Sequence, residues 1–276
     1  MANRPAPCDA KMDSIAVFGG KKIAVVLHGL GSTPRDLQAE IALLAKDGYT
    51  VLAPRLAGHY DTDITDLDQA TYDMWLKDAE DIFRMAHARS RQVTLVGYSL
   101  GGLLASRLAL EHPQAVERMV LIAPAWRINA TVSLGSMVGS FLDTSLNAYE
   151  NNPAQCAVGK GFIPAHGGQQ LEFLIMNTER QFGGGYPQAP ASVFARLTVP
   201  HLLITTPSDQ AIDLAMVNTI CKENKFYCTQ INAQAHSHTD IGRNLVKKPA
   251  IDSPYVGQAM GSVVVRFLQG LIDSAI

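Results

Sequence analysis

The sequence predicts an α/β fold: a mostly parallel central sheet, helices on both of its faces, and a cap inserted between strands. Three observations predict it. Short β-branched runs alternate with longer segments of helical period, which is the pattern of βα units. Several of these runs are continuously apolar, Ile23-Ala-Val-Val-Leu27 among them, as strands buried on both faces must be. The alternation breaks once, over 125–199, where periodicity is weak and Gly183-Gly184-Gly185 and several prolines occur.

Taken in order, the candidate strands are 15–18, 22–28, 50–54, 93–98, 118–124, 201–207 and 226–231. Between them, 34–47 carries Leu37, Ile41 and Leu44 on one helical face, with Thr33 ahead of Pro34 as N-cap. The segment 71–89 repeats the pattern with Trp75, Ala79, Ile82 and Ala86, and the last helix with Val256, Met260, Val263, Phe267 and Leu271. These stripes are read as core. A structureless loop of about 75 residues inside one domain is functional or structured in its own right, so 125–199 is read as a cap rather than a disordered excursion. With the cap set aside, the core is then 1–124 with 200–276. A chain of 276 residues, against roughly 150 per domain, accommodates one core carrying such an insertion.

Composition excludes several classes of function. Charged residues are 17% against a globular average of about 25%, net charge is −2, and no basic run exceeds a pair such as Lys247-Lys248. Nothing here neutralises a row of phosphates, so no nucleic-acid partner is expected. No apolar run approaches the roughly 18 residues of a spanning helix, and the N-terminus lacks the apolar core of a signal peptide. A cytoplasmic location is expected, or a secreted or periplasmic one if a signal sequence has been removed. Cys8, Cys156, Cys221 and Cys228 fit neither a CxxC redox site nor a zinc pattern. Cys221 and Cys228 are read as buried free thiols, the alternative being a pair across a helix-to-strand loop in an oxidising compartment.

The chemistry centres on Gly97-Tyr98-Ser99-Leu100-Gly101, a G-x-S-x-G. Such a pentapeptide arises by chance in about one chain of this kind in ten, but a strand precedes it and a helix over 100–111 follows. That context makes it a nucleophile elbow. Its turn is too tight for Cβ atoms at Gly97 and Gly101, and it presents Ser99 at a helix N-terminus, where developing negative charge is stabilised. A serine hydroxyl needs a base, and the base an orienting group. Asp209 follows the strand 201–207 and suits the acid; Asp213, four residues on, is read as a first-turn helix acid. The base is His236 or His238, both in Ala235-His236-Ser237-His238-Thr239-Asp240. Near the front, His28-Gly29-Leu30-Gly31 closes a strand, and the N–H groups of Leu30 and Leu100 are the candidate oxyanion donors. His28 is read as structural, and His59, His87, His112, His166 and His201 as helix-face, loop or strand-start residues.

On His28-Gly-Leu-Gly-Ser-Thr-Pro-Arg-Asp36, Gly48-Tyr-Thr-Val-Leu-Ala-Pro-Arg-Leu-Ala-Gly-His59, Trp75 and Gly97-Tyr-Ser-Leu-Gly-Gly102, the chain resembles the α/β-hydrolases, in particular bacterial carboxylesterases and monoacylglycerol lipases. The resemblance covers about 22–124 and the two later triad segments. It implies an α/β-hydrolase fold and a serine hydrolase cleaving carboxylic esters, with Ser99 as nucleophile, Asp209 as acid, a following histidine as base and Leu30 and Leu100 as oxyanion donors. Tyr60 stands where the family usually has a second glycine, and 241–254 is an unusual tail. Ser237-His238-Thr239 followed by Asp252-Ser-Pro-Tyr-Val-Gly257 is similar to a motif of related hydrolases and makes His238 the expected base, with His236, which the family's usual strand-to-histidine spacing would choose, as the alternative.

The expected substrate is a small-molecule ester of short to medium acyl chain, with no metal or organic cofactor. Leu134, Met137, Val138, Phe141, Leu142, Phe162, Leu171, Phe173, Leu174, Ile175 and Met176 line an acyl pocket or form the cap's own core. A thioester or amide substrate is the enzymatic alternative, and a catalytically silent binding module the non-enzymatic one.

Overall fold

A computed structural model describes residues 14–59, 64–132, 145–146, 163–183, 192–225, 227–247, 250–251 and 257–272. Among these the strands, in chain order, are β1 (Ile15–Val17), β2 (Lys22–Leu27), β3 (Tyr49–Ala53), β4 (Val93–Tyr98), β5 (Val116–Ile122), β6 (Ser145–Leu146), β7 (Ile163–Pro164), β8 (His201–Thr205), β9 (Cys228–Ala233) and β10 (Ala250–Ile251). Eight of them form one sheet in the order β1-β3-β2-β4-β5-β8-β9-β10. The six inner strands run parallel, while β1 and β10 are antiparallel edges. Residues of β2, β4 and β8 are buried along almost their whole length, as a sheet covered on both faces requires.

Register decides where the site lies. Leu27 pairs with Gly97, Gly97 with Leu121, and Thr205 with Asn232. The loops leaving β2, β4, β8 and β9 therefore emerge along one carboxyl edge. Those loops carry Leu30, Ser99, Asp209 and His238, in agreement with the rule that open parallel sheets bind ligands at that edge.

The helices are α1 (Gln38–Lys46), α2 (Ile64–Gln69), α3 (Tyr72–His87), α4 (Leu100–Glu111), α5 (Ala165–Gly183), α6 (Leu214–Glu223), α7 (His238–Asn244) and α8 (Met260–Leu268). Pro34–Leu37 is a 3-10 turn ahead of α1 rather than its first turn, with Thr33 as its N-cap. Asp36 takes the Ser32 hydroxyl (2.7 Å) and the Thr33 N–H (3.0 Å) into one carboxylate oxygen, which closes that turn tightly. In α3 the buried stripe is Trp75, Ala79, Phe83 and Ala86; Phe83 takes the place expected for Ile82, which is only partly buried. Leu271 lies beyond α8 and is 62% exposed, and Val256 lies outside the described residues.

Strand β9 starts at Cys228, two residues later than expected, because the Tyr227 and Cys228 N–H groups both bond the Asn224 carbonyl in a turn after α6. That turn brings the Cα atoms of Cys221 and Cys228 to 5.4 Å, and the two are disulfide-bonded. The reading of free thiols at these positions is corrected. Cys8 and Cys156 lie outside the described residues. The tail 241–254 also has more structure than its composition suggested: α7, a 3-10 turn at Leu245–Lys247 and β10, which pairs Ala250 with Ala233.

Of the interval expected as a cap, both ends are anchored on the core. Trp126 stacks on Phe194 with ring centres 5.3 Å apart and donates to Ser106 Oγ at 2.8 Å. Strands β6 and β7 form a small antiparallel pair. Helix α5 buries Leu171, Leu174 and Ile175 and leaves Phe173 and Met176 exposed. It is tied to α4 by Arg107, whose guanidinium reaches Asn177 Oδ1, Thr178 Oγ1 and Gln181 Oε1. Leu134, Met137, Val138, Phe141, Leu142, Phe162 and Tyr60 lie outside the described residues. Among the described residues no helix is long and apolar enough to cross a membrane.

Candidate active site

Between β4 and α4 the chain reverses through Ser99 at φ 52° and ψ −114°, a left-handed conformation that costs a residue with a Cβ of order 1–3 kcal/mol. The surroundings hold it there. The Ser99 N–H donates to the Ile122 carbonyl at 2.9 Å and the Ser99 carbonyl accepts from Ala125 N–H at 3.0 Å. A Cβ at Gly97 would overlap the Gly101 carbonyl, and one at Gly101 the carbonyl oxygens of Leu27 and His28. Glycine is what allows β4, α4 and β2 to meet. Ser99 is the N-cap residue of α4, yet its hydroxyl makes no capping bond.

That hydroxyl instead lies 2.9 Å from His238 Nε2, and His238 Nδ1 lies 2.7 Å from Asp209 Oδ2. The Asp209 side chain is wholly buried. Its other oxygen accepts the N–H groups of Ala211 (2.9 Å) and Ile212 (3.3 Å), so the carboxylate is fixed at both ends. Thr206 Oγ1 donates to the Ala235 carbonyl at 2.9 Å and joins the loop after β8 to the loop after β9. Asp213 caps α6 by accepting the Met216 N–H at 3.0 Å.

His238 is the first residue of α7. Ser237 caps this helix by accepting the Asp240 N–H at 3.2 Å, while Asp240 Oδ2 accepts the His236 N–H at 2.7 Å. The cap turns one histidine inward and leaves His236 exposed. An imidazole bridging a serine hydroxyl and a buried carboxylate can take the hydroxyl proton while its charged form is stabilised from the far side.

Across from the elbow, Gly29 sits against Ser99: a Cβ built on Gly29 would lie 3.2 Å from the Ser99 Cβ. In the turn that follows, the Gly31 N–H donates to His59 Nε2 at 3.0 Å and the Ser32 N–H to the Gly29 carbonyl at 3.1 Å. Among the described residues no acceptor pairs with the Leu30 N–H. Leu100 opens α4, so its N–H has no partner within the helix either. Two such donors beside a nucleophile suit an oxygen that gains negative charge.

His28 and His59 support this turn from behind. The Leu56 N–H donates to His28 Nε2 at 3.0 Å, which fixes the tautomer and leaves Nδ1–H to donate to the Gly29 carbonyl at 2.9 Å. Burial holds His28 down to a pKa of about 4, with the Arg55 charge acting in the same direction and the Gly29 bond against it. The His59 ring packs edge-on to His28 at 4.8 Å, and its Nδ1 bonds the Ala57 carbonyl at 2.9 Å. In the sequence, Gly58-His59 of the family-like stretch is the one signal that His59 supports this turn, and Tyr98 has none but its place beside Ser99. Elsewhere Glu80, Glu111 and His112 converge, but Arg84 pairs with Glu80 and Arg107 with Glu111.

A family model described as serine aminopeptidase, S33, matches residues 20–156. A thermostable monoacylglycerol lipase of Bacillus sp. (strain H-257) is 34% identical over 192 residues, 68% of this chain and 70% of that protein. Among solved structures, one of the metagenome-derived lipolytic enzymes LipS and LipT aligns over 94% of this chain and 98% of its own, with a TM-score of 0.73 and 16% identity. A monoacylglycerol lipase of Paleococcus ferrophilus aligns over 93% and 98%, with a TM-score of 0.66 and 18% identity. At those identities the structural matches speak for the fold alone.

Proposed function

Since the chain belongs to the α/β-hydrolase family of serine hydrolases, we propose that it is a carboxylic ester hydrolase working through an acyl-enzyme on Ser99. The observation that carries the reading is the unbroken chain from Ser99 Oγ through His238 to Asp209. Ser99 attacks the ester carbonyl as His238 Nε2 takes its proton. The N–H groups of Leu30 and Leu100 hold the oxyanion, each donor being worth about 3–4 kcal/mol in the transition state. His238 then returns the proton to the departing alcohol, and water discharges the acyl-enzyme with the same histidine as base. Asp209 accepts the Nδ1–H and stabilises the imidazolium.

The similarity to a monoacylglycerol lipase supports an acyl ester of a small alcohol as substrate, and the apolar residues of 125–199 an apolar acyl group of short to medium length. Of the locations left open, the Cys221–Cys228 bond favours an oxidising one, secreted or periplasmic. Matched ester, thioester and amide substrates, together with p-nitrophenyl esters and monoacylglycerols of graded chain length, test the reading. Ester turnover should dominate and vanish in Ser99→Ala. Faster thioester or amide turnover would reassign the substrate class, and folded wild-type protein that a fluorophosphonate fails to label would overturn the enzyme.

A further inference from the structure

We propose that Tyr98 is a positioning residue for the reaction: it sets the base histidine and the oxyanion turn on one ring beside the nucleophile. The inference rests on the roles given above to Ser99, His238 and Leu30. Tyr98 precedes Ser99 at the end of β4 and is buried. Its ring fills a slot with a glycine on each side. A Cβ on Gly29, in the turn that carries Leu30, would come within 2.8 Å of Tyr98 Cε1, and a Cβ on Gly242 within 2.7 Å of Cζ. Gly242 lies one helical turn after His238, on the same short helix α7.

The hydroxyl continues the pattern. Tyr98 Oη donates to the backbone carbonyl of His238 at 3.0 Å, and the two side-chain rings lie 5.2 Å apart at a tilt of 35°. A buried phenol is costly unless its O–H is paired, and here its acceptor belongs to the residue that carries the base. A phenylalanine would satisfy the packing alone. The ring therefore spaces α7 from the oxyanion turn, the hydroxyl holds the first carbonyl of α7, and the next residue along the chain is Ser99. The 2.9 Å separation between His238 Nε2 and Ser99 Oγ is set against a single rigid side chain.

Such a role acts on proton transfer and oxyanion geometry rather than on ground-state binding, so it separates kcat from KM. Tyr98→Phe should lower kcat for a p-nitrophenyl ester by about fivefold to tenfold, the size of one neutral hydrogen bond, with KM within about twofold of wild type. The second-order rate of fluorophosphonate labelling should fall by the same factor. Gly242→Ala, which forces a methyl group into the ring, should give the same split, and it carries the test if Tyr98→Phe does not fold. Labelling of wild type at Ser99, lost in Ser99→Ala and slowed in His238→Ala, checks the underlying reading separately. If those controls hold and both variants keep wild-type kcat, Tyr98 is packing only and the proposal fails; a rise in KM with kcat unchanged would overturn it equally.

Discussion

His59 Nε2 accepts the Gly31 N–H at 3.0 Å across 28 positions of sequence, and so holds the turn that presents Leu30. The bond is buried, and the His59 ring is itself fixed by the Ala57 carbonyl and by the edge of His28. His59→Ala would leave the Gly31 N–H buried without an acceptor, at a cost of about 1–3 kcal/mol, and free the turn to relax. We expect kcat to fall at least about tenfold and the inhibition constant of a boronic acid analogue to rise in parallel. His59→Gln, whose amide oxygen can accept the same N–H, should recover part of both. A loss of melting temperature with kcat intact would show that the bond serves folding only.

The two histidines before and within α7 give a sharp pair of variants. His238→Ala removes the group that touches Ser99 Oγ and should lower kcat by about a thousandfold or more. His236 is exposed and lends its backbone N–H to Asp240, so His236→Ala should stay within about twofold of wild type. Steady-state kinetics on one chromogenic ester suffice; if both variants retain most of kcat, the assignment of the base is wrong.

What could be read from sequence followed from how local each signal is. The parallel strands and the elbow are written in contiguous residues, Ile23–Leu27 and Gly97–Gly101, where β-propensity and steric need act on neighbours. The pairing of Asp209 with the Ser99 region was reachable through chain order and the carboxyl-edge rule. The choice of His238 over His236 rested on the likeness of Ser237-His238-Thr239 to a related motif alone, because the local sequence does not show that Ser237 caps α7, and two residues of offset swap an exposed ring for an inward one. Tyr98 was less legible still: its slot is built from Gly29 and Gly242, which approach only after β2, β4 and β9 have assembled. The Cys221–Cys228 bond stood only as the alternative to free thiols for a similar reason, since spacing alone does not reveal that the turn at Asn224 closes them to 5.4 Å.

That bond closes a short loop between α6 and β9, for which chain-entropy arguments give about 2 kcal/mol. It sits at the start of β9, at the opposite end of the strand from the loop that carries His238. Replacing Cys221 and Cys228 together by alanine should therefore lower the melting temperature by about 4–8 °C and leave kcat nearly unchanged. Calorimetry beside ester kinetics reads both; a loss of kcat at temperatures well below melting would mean that the bond reaches the site.

Acid should destabilise the fold through two histidines that do not take part in the proposed chemistry. Burial lowers His28 and His201 to a pKa of about 4 from 6.5. Below pH 6.5 the unfolded chain binds protons at these positions that the folded chain refuses, so stability falls as pH drops from about 6.5 towards 4 and levels off below that, as far as these two are concerned. Each contributes on the order of 3 kcal/mol over that window. His201 is the cleaner probe: its Nδ1–H donates to the Val199 carbonyl at 2.8 Å, its Nε2 is buried with no hydrogen-bond partner among the described residues, and its ring packs edge-on to Trp126. His201→Leu should remove about half of the pH dependence of the urea midpoint between pH 7 and pH 4.5. An unchanged slope would show that the acid sensitivity comes from other groups.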